Sequence, residues 1–437
     1  MPPVKDSVIT AVQKTATPIP QSTRRLTLAL LFGAALFNYG DRYMLAILIP
    51  DIKADLDLSD TQIGFLTGLA FTLFYATLGI PIARLADVHS RRTIISVSLV
   101  VWSAMTAICG LAQNFAQLTL ARILVGVGEA GCTPPSHSIV SDTFPRAERA
   151  KALATYALGS PAGLLLGFLI GGWLTSEFGW RIALLAFGLP GLLFAAVIFF
   201  NLKEPARGHS DGIEIDDDRP PFWTVFRLLL GRRSFRHCVL GVSIHGIVYI
   251  GVVNWLPSFF VRTHGLGIAE VGVWLAFSLG LSQLTGIYLG GVIGDRYGAK
   301  DPRWYMWIAG FAILAGGPFF ALVFLWPTPY VAFAALAIPF FLGVLQAGPT
   351  YTVIQTVAGP RMRSMASAIN ILIINMIGGG LGPLVIGSLS DWLRPEYGDD
   401  GLTYALLSVS IIFSTWAWAH FMIAAQSVQA DIEAATA

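Results

Sequence analysis

From Leu26 onward the chain alternates long apolar stretches with short polar ones, and the apolar stretches are about twenty residues long, the length a helix needs to cross a bilayer. Twelve such stretches are read, beginning near residues 26, 63, 93, 116, 150 and 181 and again near 236, 269, 303, 330, 362 and 402. Between the two sets lies "NLKEPARGHSDGIEIDDDRPPF", residues 201–222, rich in Asp, Gly and Pro and without apolar periodicity, which marks a linker. The pattern predicts an all-α polytopic membrane protein of two six-helix bundles. Its expected divisions are a polar segment 1–25, a first bundle 26–201, a linker 202–234, a second bundle 235–425 and a tail 426–437. The first 25 residues lack the apolar core and cleavage site of a secretory signal, so the first span is expected to remain as an anchor.

The two halves repeat one another. Pro50 closes "AILIP" at the expected end of span one, and Pro257 closes "NWLP" at the expected end of span seven. The loop "ARLADVHSRR" after span two aligns with "GVIGDRYGAK" after span eight, which matches Asp87 with Asp295 and Arg92 with Lys300. Gly163, Gly167 and Gly172 of span five recur as Gly378, Gly382 and Gly387 of span eleven. A tandem repeat of this parallel kind is the organisation of two-bundle transporters, whose binding site lies at the midplane between the halves.

Charge sets the orientation. Only 12% of residues are charged against 55% hydrophobic, far from the quarter usual in soluble domains. Most of the 28 Lys and Arg fall at the ends and in alternate loops. The other side keeps only Lys53, Arg181, Arg262 and Arg394, so both termini are expected in the cytoplasm, with the chain in the cell (inner) membrane. The formal charge of +2 is spread over many short loops rather than gathered in a patch, which excludes nucleic acid as a partner. Cys109, Cys132 and Cys238 lie in or beside apolar spans without metal-ligand spacing, so no disulfide, metal or cofactor is expected.

Against this background "NYGDRYMLAILIP" stands out, because Asp41 and Arg42 are set inside an apolar span, and ionisable groups at membrane depth are functional by default. Span four, "QLTLARILVGVGEAGCTPPSHSIVSDTF", carries Arg122 and Glu129 two turns apart, within about 20° of one another on a helix face. Span one and span four run in opposite senses and bring the four charges to similar depth. Burial favours a neutral acid and a nearby guanidinium favours the carboxylate, so movement that separates acid from arginine switches protonation. Asp41 and Glu129 are therefore the expected proton carriers, with Arg42 and Arg122 tuning them or holding an anionic substrate; a buried lock for helix packing is the alternative. His137, further along span four, is a candidate relay or vestibule residue.

Asp87 can accept from the positive N-terminus of a neighbouring helix, and Arg91 and Arg92 can pair with Asp142 at the end of span four; with Asp295 these form an expected cytoplasmic gate. Spans seven and ten carry no charge in their interiors but hold His245, Tyr249, Asn254, Trp255, Gln346, Tyr351 and Gln355, a polar and aromatic cavity wall. A cavity charged on one side and aromatic on the other suits an amphiphile with an ionic headgroup and an apolar tail.

The twelve spans, the repeat and the loop at Asp87 resemble the major facilitator superfamily over residues 26–425. The loop departs from the superfamily pattern: Ala83 stands for a glycine, Val88 for a basic residue and Ser90 for a second glycine, while "GGVIGDRYGAK" is closer. Within the superfamily, "NYGDRYMLAILIPDI", "RILVGVGEAGCTPPSHSIVSDTFPRAERAKALATY" and "GGGLGPLVIGSLSDWL" together resemble the Spinster family of lipid transporters, as a bacterial homologue. The resemblance implies the major facilitator fold, its two bundles related by a pseudo-two-fold axis, and export or exchange of lysolipids or sphingosine-type phosphates. It places Asp41, Arg42, Arg122 and Glu129 at matching cavity positions. The expectation is a proton-coupled, monomeric secondary transporter working by alternating access, with membrane lipid around it and an amphiphilic or anionic substrate. A carrier of a small organic anion or sugar phosphate is the alternative. A receptor or intramembrane enzyme is a poorer fit, because the chain has no sensing domain and Ser136 beside His137 has no acid partner in its span.

Overall fold

The computed structural model of the chain describes residues 19–207, 222–359 and 362–436; the first eighteen residues and linker residues 208–221 lie outside the described residues. Among the described residues, nine helical segments are long and apolar enough to cross a membrane. Two of them, Ala147–Asn201 and Met365–Ala435, each hold two crossings, and Gln21–Leu56, with its internal charges, completes twelve. Span one is Gln21–Leu56 and span two is Asp60–Thr67 with Leu69–Val88. Span three is Arg91–Cys109, and span four is Phe115–Glu129 with Thr133–Thr143. Spans five and six run through Arg146–Ala157 and Gly159–Asn201, reversing at Gly179, whose φ of 79° is open to glycine at little cost. A short helix, Phe222–Gly231, leads into span seven, Arg233–His264, which is followed by Ile268–Gly298 and Arg303–Leu325. Span ten is Pro329–Val344 with Ala347–Ala358. Span eleven is Arg363–Ile374 and Gly380–Tyr397 joined by a π-helical turn, Asn375–Gly379, and span twelve is Gly401–Thr436.

The repeated glycines are contact points. A Cβ at Gly163 would stand 2.8 Å from Gly40 N and Leu36 O, and one at Gly167 2.8 Å from Gly40 O, so span five lies backbone to backbone on span one. The same crossing recurs in the second half, where a Cβ at Gly382 would stand 2.8 Å from Ile247 O and one at Gly378 2.9 Å from Gly246. Small residues let helices in lipid approach to this distance. The third glycine of each set joins the halves instead. Gly172 lies against the start of span eight at Ile268 O, and Gly387 against the start of span two at Asp60 O. Both contacts are at the end away from the termini, which an even number of crossings places together.

Three boundaries differ from the sequence reading. Span one runs past Pro50 to Leu56 and span seven past Pro257 to His264. A proline removes one helical hydrogen bond, but non-helical backbone exposed to hydrocarbon would lose all of them, so the helix persists. Span twelve also continues to Thr436, so the expected tail 426–437 is helical as far as that residue.

Candidate functional site

Neighbouring residues on a helix point about 100° apart, so Asp41 and Arg42 turn to different partners on span four. Arg122 Nη1 donates to Asp41 Oδ2 at 3.0 Å, and Thr106 Oγ1 of span three donates to Asp41 Oδ1 at 2.7 Å. Arg42 Nε donates to Glu129 Oε2 at 2.6 Å, with a longer contact from Nη2 to Asn38 Oδ1 at 3.4 Å. The four charges expected to meet therefore do so, as two crossed ion pairs. Asp41, Arg122 and Glu129 are buried, while the Arg42 side chain keeps 23% of its surface open.

Aromatic rings complete the cluster. Phe71 of span two lies under both guanidinium groups, 4.9 Å from Arg42 and 5.2 Å from Arg122, and the Tyr75 and Tyr39 rings lie 4.6 and 5.4 Å from Arg42. Gly126, between Arg122 and Glu129, admits Phe71: a Cβ there would meet Phe71 O at 2.6 Å. Cation–π contact of this kind stabilises a cation where water is scarce. Glu129 Oε1, Arg122 Nε and Asn38 Nδ2 have no hydrogen-bond partner among the described residues. Span four breaks directly after Glu129, at Ala130–Cys132, ahead of the Pro134 and Pro135 pair. Each acid is thus held by one arginine of the other span.

The remaining predicted residues divide. The structure does not hydrogen-bond His137 to Glu129; its ring stands edge-on to Tyr156, with centroids 5.0 Å apart. Trp255 is fully buried, donating from Nε1 to Pro383 O at 2.9 Å, so it fastens span seven to span eleven rather than lining a cavity. Its indole was read as cavity wall because a polar tip on a large ring looks the same in either role. Asn254 turns Nδ2 back to Ile250 O on its own helix. Tyr249 accepts from Gln283 Nε2, Gln346 Oε1 accepts from Thr350, Gln355 is half-buried and Tyr351 is exposed.

The loop between spans two and three is held differently from expectation. Arg91 does pair with Asp142, but Arg92 rests over the Phe199 ring at 5.1 Å, and the side chains of Asp87 and Asp295 are exposed. The start of the linker is strapped across the loop. Glu204 accepts from Arg91 N at 2.8 Å, Arg91 Nε at 3.1 Å and Ser90 Oγ at 2.6 Å, and Arg207 donates to Asp87 O, to Ala86 O at 2.9 Å and to His89 O at 2.8 Å. Burial alone would raise the Glu204 carboxyl, but the hydroxyl, the amide and the Arg91 guanidinium hold it below the usual range. Arg207 thereby satisfies the orphan carbonyls ending span two and Glu204 caps the start of span three. Neither was anticipated; an acid and an arginine flanking Pro205 at a span end is the signal that was available.

At the end away from the termini the halves are bolted together. Asp60 accepts from Arg262 Nη1 and Nη2, both at 2.8 Å, from Ser390 Oγ at 2.7 Å and from Lys53. Asp391 in turn accepts from Thr61 N and Oγ1, each at 2.7 Å, and from Asp60 N at 3.1 Å, capping the span-two helix from the other half. Asp60→Asn weakens a bidentate contact in which each charged hydrogen bond contributes about 1.5–3 kcal/mol. The population with this end open is expected to rise by one to two powers of ten. Spin labels at Glu177→Cys and Tyr397→Cys would report it, and an unchanged distance distribution would refute the assignment of Asp60 as a bolt.

Comparison with known proteins agrees with this architecture. The family model described as Major Facilitator Superfamily matches residues 31–383. An "MFS-type efflux pump" of Mycolicibacterium smegmatis is 32% identical over 370 residues, covering 85% of each chain. "Protein spinster homolog 1" of Xenopus laevis is 28% identical over 84% of this chain and 72% of its own. Among solved structures, a bacterial homologue of the human lysosomal transporter Spinster, inward-facing and unoccupied, superposes with a TM-score of 0.86 at 29% identity over 94% of this chain and 99% of that one. With twelve crossings in two repeated halves, a bolt at one end and paired charges between spans one and four, the chain belongs to the major facilitator superfamily as a multi-pass membrane transporter of Spinster type.

Proposed function

We propose that this chain is a proton-coupled secondary transporter that moves a lysolipid or sphingosine-phosphate-like amphiphilic anion by alternating access, as a monomer in the cell's inner membrane with both termini cytoplasmic. The observation that carries the reading is the crossed pair Asp41–Arg122 and Arg42–Glu129 at membrane depth. Two carboxylates and two guanidinium groups balance, so one added proton frees one arginine for an anion. Arg42 is the member with open surface, and its aromatic surround suits a headgroup that continues into an apolar chain. The bolt at Asp60, taken with the cytoplasmic orientation that the Lys and Arg bias favours, supports an inward-facing reading of this conformation, the state of the solved homologue. The efflux assignment of the Mycolicibacterium relative supports export as the direction.

The test is transport by purified protein in liposomes with an imposed pH gradient, lysolipids and small anions run in parallel. Glu129→Gln keeps the shape and a hydrogen-bond acceptor for Arg42, so it is expected to retain fold and substrate binding but to lose pH-driven accumulation. Asp41→Asn is expected to act in the same direction. Unchanged coupling in both variants would dismiss the proton assignment. Accumulation of small anions but not lysolipids would instead favour a soluble-anion carrier, which the same arginines would serve.

A further inference from the structure

Beyond the paired charges, the second half buries polar side chains that those charges do not use. His245 of span seven is only 6% exposed, and neither ring nitrogen meets hydrogen-bond geometry, although the Gly343 backbone lies close enough to act on the ring. Gly343 makes room for the ring, since a Cβ there would stand 2.9 Å from His245 Nε2. Gln283 of span eight, 8% exposed, donates from Nε2 to Tyr249 Oη at 2.6 Å and leaves Oε1 without a partner. The Tyr249 oxygen accepts that bond, so its own proton remains to be given. The Tyr249 ring lies 6.3 Å from that of His245, centroid to centroid, which makes the three side chains one cluster. Buried polar groups are normally paired, and unpaired ones call for a ligand, a water or another explanation.

We propose that His245, Tyr249 and Gln283 form a second, uncharged substrate subsite that takes a neutral hydroxyl or amide group, while Arg42 faces the anionic group. This rests on the reading of the substrate as an amphiphilic anion. The subsite has no charged member, so an ion placed there would lose its hydration without gaining a counter-charge. A hydroxyl both donates and accepts, and so matches an amide oxygen, a phenol proton and an imidazole together. Position supports the pairing with Arg42. Tyr43, the next residue on span one, lies within hydrogen-bonding reach of Gln283, which sets the cluster against the helix that carries the arginine. In a lysolipid the glycerol hydroxyl is only a few bonds from the phosphate.

The experiment measures binding of oleoyl lysophosphatidate and of its deoxy analogue, which lacks only the glycerol hydroxyl, to the full chain in nanodiscs. Wild type is expected to favour the hydroxyl-bearing lipid by about tenfold, the net worth of one hydrogen bond lost with the hydroxyl. In Gln283→Leu and in His245→Phe that ratio is expected to fall toward one. Should Gln283→Leu fail to fold, the near-isosteric Gln283→Met carries the same readout. A purely structural role would shift both affinities together and keep the ratio. A kept ratio, or equal binding of the two lipids by wild type as if the cluster held ordered water only, overturns the subsite and leaves the lipid reading standing. Binding of neither lipid by wild type overturns the lipid reading and the subsite with it.

Discussion

Arg122→Ala is expected to destabilise the folded protein by about 3–5 kcal/mol, the usual consequence of stranding a buried charge. Asp41 is 1% exposed and has two partners, the Arg122 guanidinium and the Thr106 hydroxyl, so the substitution leaves a carboxylate in hydrocarbon with a single neutral donor. The loss should appear as a lower apparent melting temperature in detergent and poor recovery from the membrane. Its cause is separable from lost packing. Asp41→Asn combined with Arg122→Ala removes both charges and should recover most of the stability that Arg122→Ala loses. Arg42→Ala strands Glu129 in the same way, but Arg42 borders open space, so water entering the vacated volume should soften the effect. An Arg122→Ala protein as stable as wild type, or a double variant no better than the single one, would show that the pair is not what holds Asp41.

Why Asp41, Arg42, Arg122 and Glu129 were legible in the sequence is plain: four ionisable residues in runs of Leu, Ile, Val and Gly have no surface to go to. Their neutral neighbours were not legible. Thr106, Phe71 and Tyr75 belong to types that fill every span, and only the crossing of spans two and three with span four gives them a role. Asp60 was hidden for the opposite reason, since "DLDLSDTQ" is a polar turn in which an acid is ordinary. It becomes a bolt through Arg262, Ser390 and Asp391, which the repeat brings to it from the other half.

The crossings themselves could be read from length and hydropathy, and the glycine repeat located two of the tight contacts. Two of the interruptions could not. Gly68 and Leu345–Gln346 divide spans two and ten within apolar runs, where hydropathy is blind to the loss of a backbone hydrogen bond, whereas the break at Ala130–Cys132 in span four has its signal in Pro134 and Pro135, which free carbonyls and bend a helix. Pro50 and Pro257 misled for a related reason. In water a proline ends a helix because solvent takes the freed groups, and in a bilayer no solvent is there to take them. Broken spans four and ten correspond under the repeat, and the break in span four adjoins Glu129. Of the broken elements, span four is the one whose break stands directly beside a member of the two ion pairs.

Binding of an anionic lipid should strengthen with the length of its tail, by roughly fourfold for each added methylene that is buried, from about 0.8 kcal/mol per CH₂. The expectation follows from what surrounds Arg42. The Tyr39 and Tyr75 rings lie 5.4 and 4.6 Å from the guanidinium, so a headgroup at Arg42 meets aromatic surface from which a chain can run on. The rise should continue until the cavity, or a lateral opening between the halves, is filled, after which added carbons return to bulk lipid and contribute nothing further. A series of lysophosphatidates differing only in acyl length, titrated against the protein in nanodiscs and corrected for partitioning into empty ones, would give the slope and its plateau. Arg42→Gln should lower every affinity in the series and leave the slope unchanged, because the tail and the headgroup contact different side chains. A flat series, or equal competition by glycerol phosphate with no tail, would remove the lipid reading and leave the carrier of a small soluble anion in its place.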